Sequence, residues 1–133
     1  MTEKTIIVAA IRTSAGLLNK LGEEALDMWT VILNVGSRDG ISLDQQFIIY
    51  SRGEEIFDPA TGESLGQYEI VRGRGKVSQV QESLCTLRST ETKQVARPMN
   101  SLAASLGAGG ESQWQTTPAP FRKVAVGDLA RRV

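Results

Sequence analysis

Alternation of apolar and polar side chains sets the reading of this chain. Val31, Leu33 and Val35 share one face of an extended segment over residues 29–35, the period-two signature of a strand with one buried side. Residues 5–12 are apolar and β-branched at their centre and predict a first strand. Residues 46–51 predict another, with Phe47 there and Trp29 in the preceding strand expected in the core. Arg52-Gly53 reads as a turn leading into a hairpin of residues 55–58 and 63–72. Residues 73–75 read as a further break. Residues 76–88 read as one long strand whose Val77 and Val80 differ in parity, which predicts a bulge. The only stretch with helical spacing, Leu18, Leu21, Ala25 and Met28, is interrupted by Gly22 and predicts a loop with at most a short helical segment. Residues 129–133 predict the last strand.

Two turns have specific chemistry. Asp39-Gly40 ends the second predicted strand, because glycine tolerates positive φ and aspartate bonds its own backbone. In Asp58-Pro59-Ala-Thr-Gly62, Pro59 presets φ, Asp58 accepts from N–H groups ahead of it, and Gly62 takes the left-handed position that closes the loop. Gly66 is expected to play a similar structural part. Composition shifts at Ser89: residues 90–120 are rich in Ser, Thr, Gly, Ala and Pro and are expected to form a long flexible insertion before the last strand. The expectation is a mainly β fold, a small closed or partly closed antiparallel β-barrel. It forms one domain over residues 1–133, with an ordered core of about 4–88 and 121–133. Closure of first strand on last would remove exposed edges.

A chain of 133 residues is long enough to fold around one core without disulfide or metal. Fifteen basic and fifteen acidic residues balance, which argues against a dedicated duplex-DNA binder but leaves room for a local basic patch. Histidine is absent, which removes the commonest general base. The lone Cys85, in Leu84-Cys85-Thr86-Leu87, reads as a core thiol. No apolar run reaches the ~18–20 residues that span a bilayer, and the six-residue apolar run near the N-terminus is too short for a signal-peptide core. A cytoplasmic chain is the default; a mature periplasmic chain shorn of its leader would look the same.

Candidate chemistry is sparse. The acidic residues around Asp58 and Glu63, with Glu54 and Glu55, lack the alternating spacing of a calcium loop and read as a structural turn. Arg72-Gly-Arg74-Gly-Lys76, aided by Arg122-Lys123 and Arg131-Arg132, is the best basic cluster and is read as a turn able to contact an anion or single-stranded nucleic acid. Trp114 lies alone among polar residues of the insertion and either docks back on its own domain or anchors a protein partner, for which it is the candidate. No nucleophile–base pair, cofactor motif or metal set stands out.

Several pieces together resemble the C-terminal domain of flagellar assembly protein T and related small bacterial β-barrel domains. They are Val31-Ile-Leu-Asn-Val-Gly-Ser, Asp39-Gly-Ile, Asp44-Gln-Gln-Phe-Ile-Ile-Tyr, Asp58-Pro-Ala-Thr-Gly-Glu-Ser-Leu-Gly66, Gly75-Lys-Val-Ser-Gln-Val-Gln-Glu and Val126-Gly-Asp. The resemblance covers about residues 4–88 and 121–133. It implies a non-enzymatic interaction module that binds another protein or docks within a larger bacterial assembly, envelope or flagellar. The alternative is single-stranded nucleic-acid or anion binding through the 72–76 segment.

Overall fold

The computed structural model of the chain describes residues 4–96 and 114–133. Nine strands follow in order: β1 (Val8–Thr13), β2 (Gly16–Leu18), β3 (Thr30–Leu33), β4 (Gln46–Phe57), β5 (Ser64–Val80), β6 (Cys85–Ser89), β7 (Glu91–Ala96), β8 (Trp114–Ala119) and β9 (Leu129–Arg132). A 3-10 turn, Ser37–Asp39, separates β3 from β4. Seven strands form one sheet in the order β2-β1-β3-β6-β5-β4-β9, and β7 pairs with β8 in a separate ribbon. Every pairing is antiparallel.

The alternation at residues 31–35 does what its period dictates: Val31, Leu33 and Val35 are buried. They join Val8, Ile11, Phe47, Ile49, Val77, Cys85 and Leu87 from neighbouring strands in one core. Phe121, Val124 and Val126, from the segment before β9, complete it. No sheet closes on itself; β2 and β9 are its edges. An isolated bridge nevertheless links Ile7 to Leu129. Three backbone bonds flank it: Val8 N–H to Asp128 O at 2.8 Å, Gly127 N–H to Val8 O at 2.8 Å, and Ala130 N–H to Ile6 O at 2.9 Å.

Several sequence expectations need correction. Arg52-Gly53 does not turn the chain. It lies within the continuous β4, at a register shift between Arg52 and Glu55. A glycine inside a strand serves a bulge as well as a turn. Residues 73–75 are likewise inside β5, and the 76–88 strand is in fact two. β5 ends at Val80 and β6 starts at Cys85, with Gln81 N–H bonded to Leu84 O at 2.8 Å. The expected bulge is present, between Val77 and Gln79. The insertion is ordered at both ends, because its Thr- and Val-bearing flanks pair from Glu91–Ala119 to Ala96–Trp114. Residues 97–113, the middle of the expected flexible stretch, lie outside the described residues. Trp29 is not core: it is 39% exposed and lies under the Arg88 guanidinium, 5.8 Å from ring centre to Cζ.

Both specific turns form. The Asp39 carboxylate accepts from Gly36 N–H at 3.0 Å, and Gly40 follows at φ +83°. In the β4–β5 loop Asp58 accepts from Ala60 N–H at 2.8 Å, Gly62 N–H bonds Asp58 O at 2.7 Å, and Gly62 has φ +76°. Pro59 occupies the corner between them. Gly66 also has positive φ, +105°, at a second register irregularity. No atom lies within 4 Å of where a Gly62 side chain would stand, so only torsional strain opposes substitution there. Gly62→Val should therefore cost about 1–3 kcal/mol in urea unfolding, and Gly62→Asn much less, since asparagine enters the left-handed region readily.

Candidate functional site

β4 and β5 are far longer than their neighbours, and this disparity builds an arm. β4 pairs with β9 only over Phe47–Tyr50, and β5 pairs with β6 only from Gly75 to Val80. From Arg52 and Glu69 outward, among the described residues, the two strands pair only with each other, through Arg52–Glu69, Glu55–Gln67, Ile56–Gly66 and Phe57–Ser64. The result is a two-stranded projection of about 20 Å, at ~3.3 Å per residue. Its side chains are exposed on both faces. Ile56, Phe57, Leu65 and Tyr68 are 44–65% exposed. A bare hairpin is marginal in water, and large apolar side chains exposed along it offer area to a partner. Bulges at Arg52/Glu55 and Ile56/Phe57 twist the arm and blunt its open edges. Between Gly53 and Glu69 the chain has five carboxylates and no cation.

At the base of the arm lies a cleft of about 650 Å³, between the start of the chain, β9 and the turn before β4. Its floor is apolar, with Val35, Ile41 and Ala130 buried there. Its rim carries Lys4, Arg52, Arg131 and Arg132 against a single carboxylate, Asp39. Lys4 reaches that carboxylate at 3.9 Å. Arg131 holds Glu69 through two bonds of 2.8 and 3.1 Å and lies 4.9 Å over the Tyr50 ring. The bonds to Glu69 raise the Arg131 pKa above its ordinary value. Arg132 donates to Gly40 O at 3.4 Å.

The basic cluster read from the sequence is divided. Its glycines face inward: a side chain on Gly73 would stand 2.8 Å from Phe121 Cδ1, and one on Gly75 would stand 2.9 Å from Phe121 Cζ. The segment is thus strand, not turn, and the glycines clear space for a ring. Arg74 and Lys76 are exposed on the other face. Arg72 falls at the irregularity between Ile49 and Tyr50. There its Nε–H donates to Ser51 Oγ at 3.0 Å, and Ser51 in turn donates to Asp128 at 2.7 Å. Arg131 and Arg132 belong to the cleft, while Arg122 is tied through its N–H to Arg72 O at 2.8 Å. Trp114 is the first residue of β8, opposite Ala96 and 58% exposed. The sequence reading missed the arm and the cleft. The arm had a visible signal, an unbroken acidic block carrying four large apolar residues.

Burial pushes the Cys85 thiol up to about 11, against a smaller opposite effect of its backbone bond to Leu33. The unfolded thiol ionises near 9.0 and the folded one near 11. Between those values the unfolded chain holds fewer protons, so stability falls as pH rises. The free energy of unfolding of wild type relative to Cys85→Ala should fall by about 2 kcal/mol from pH 9 to pH 11. Among the described residues no three acidic or cysteine side chains converge as metal ligands, and no helix is long and apolar enough to cross a membrane. The chain matches no protein-family model, no curated protein and no solved structure.

Proposed function

We propose that the chain is a non-enzymatic interaction module that binds protein through the β4–β5 arm. The observation that carries this reading is the exposure of Ile56, Phe57, Leu65 and Tyr68 on a hairpin that no other strand among the described residues flanks. Four large apolar side chains left exposed on one short hairpin are best accounted for by something that covers them. The frame behind the arm is a partly closed barrel in this reading. The Ile7–Leu129 bridge and its flanking backbone bonds support closure between first and last strands. The resemblance to the C-terminal domain of flagellar assembly protein T adds a setting, docking within a larger bacterial assembly.

The test is site-specific photocrosslinking in the cells that carry the protein. A benzophenone side chain in place of Tyr68 should give discrete protein adducts, and one at exposed Ser83 on the β5–β6 turn should not. Equal yields from the two positions would overturn the reading. A second reading rests on a different observation. Lys76 and Arg88 stand directly opposite each other on β5 and β6, and neither forms an ion pair among the described residues. Like charges so placed repel, and with Trp29 beneath Arg88 they suit a single-stranded nucleic acid. Retention on immobilised single-stranded DNA that falls with salt and is lost in Lys76→Glu would carry it.

A further inference from the structure

We infer that the arm's occupant is a second copy of this chain: the acidic arm of each copy lies in the basic cleft of the other. The inference rests on the arm being a protein-binding surface and names its partner. Its ground is complementarity within one molecule. The chain is neutral overall, yet its charge is separated. Residues 53–69 hold five carboxylates and no cation. The cleft rim holds four cations over an apolar floor; Asp39 and Glu69 answer Lys4 and Arg131, which leaves Arg52 and Arg132 for the incoming arm. The arm offers Ile56, Phe57, Leu65 and Tyr68 beside its carboxylates, and so matches the cleft in both charge and apolar character.

The location of the cleft selects the symmetry. Arg52 is both a rim residue and the point where the arm leaves the sheet. Each arm is therefore basic at its base and acidic toward its tip, where Asp58 and Glu63 flank the loop. Two such arms laid antiparallel bring each tip to the other's base, a self-complementary two-fold contact. One arm in one cleft is a small contact. The two-fold repeats it, which brings the buried area toward the ~1,200 Å² of a stable interface. Glu69 does not compete as an occupant, because it is already held by Arg131. Glu54 and Glu63 make no side-chain bond among the described residues, and Arg52 makes none either.

Charge exchange tests this directly. The arm is reversed by Glu54→Lys with Glu63→Lys, and the cleft by Arg52→Glu with Arg132→Glu. The full chain is followed by sedimentation equilibrium, with thermal melts to show that each variant folds. Wild type should be a dimer that weakens with salt. Each reversal alone should weaken self-association at least tenfold. An equimolar mixture of the two reversed proteins should dimerise again, and so should a chain with all four substitutions. A monomeric wild type, a dimer indifferent to both reversals, or reversals that mixing does not repair would overturn the inference. Open-ended growth with concentration would also overturn it, since it denies the two-fold. The photocrosslinking separates the two levels. Adducts from Tyr68 to a different protein, with a monomeric wild type, leave the arm a binding surface and remove only the self-association.

Discussion

Phe121→Ala is expected to lower the free energy of unfolding by about 3–5 kcal/mol, the range for a fully buried phenylalanine. Phe121 is 0% exposed. Its backbone is tied on both sides to Met28, with Phe121 N–H to Met28 O at 2.8 Å and Met28 N–H to Phe121 O at 3.3 Å. The backbone therefore stays in place when the ring is removed, and the ring's floor is the main chain of β5 at Gly73 and Gly75. Neither side of the space can relax inward, so the cavity persists, and residual cavity volume is what raises the cost of such truncations. A side chain added at Gly75 meets Arg88 O at 2.7 Å and Leu87 Cγ at 2.8 Å besides the ring. Gly75→Ala should thus cost about 1–3 kcal/mol by overpacking. It should cost less in the Phe121→Ala background, where one of its three obstacles is gone. Urea unfolding of the two single variants and the double closes the cycle. A Phe121→Ala loss under about 1 kcal/mol, or strict additivity, would show that the ring does not seal the sheet against those glycines.

The same pair of glycines shows why part of the fold was legible in the sequence and part was not. Alternation at Val31, Leu33 and Val35 is local, and so is the turn chemistry of Asp58, Pro59 and Gly62; both appear in the structure as read. Glycine at 53, 73 and 75 reports only that a side chain is unwelcome. A turn, a bulge and a packed ring all produce that signal. The ring that decides the case at 73 and 75 comes from Phe121, far along the chain. The β5–β6 turn was invisible for the opposite reason, since Gln81-Glu82-Ser83-Leu84 has no Gly, Pro, Asn or Asp to mark it. The candidate site divides in the same way. The arm's acidic, apolar block is contiguous and could have been found. Its exposure follows from neighbouring strands that stop short, which is a property of topology. The cleft gathers residues 4, 52, 131 and 132, a grouping that only the folded sheet creates.

Asp128→Ala should cost about 2–4 kcal/mol, because one carboxylate accepts from two part-buried donors. It is 9% exposed. It accepts from Ser51 Oγ–H at 2.7 Å and from Ala125 N–H at 2.8 Å. Through Ser51 it faces Arg72, whose Nε–H reaches that hydroxyl at 3.0 Å. Removing the acceptor leaves a hydroxyl and a peptide N–H without their partner, at about 1–3 kcal/mol for each buried group. It also frees the Ser51 hydroxyl on which the Arg72 Nε–H rests. The loss reaches the sheet's seam too, since Asp128 O accepts from Val8 N–H at 2.8 Å, beside the Ile7–Leu129 bridge. A double-mutant cycle of Asp128→Ala with Arg72→Met should give a coupling of about 0.5–3 kcal/mol, read from urea unfolding of the four proteins. Additivity would mean that Arg72 is not held by Asp128. The coupling matters beyond stability. An Arg72 committed to this network is withdrawn from solvent contacts, so Arg72→Met should leave nucleic-acid retention as it is, while Lys76→Glu on the exposed face abolishes whatever retention exists.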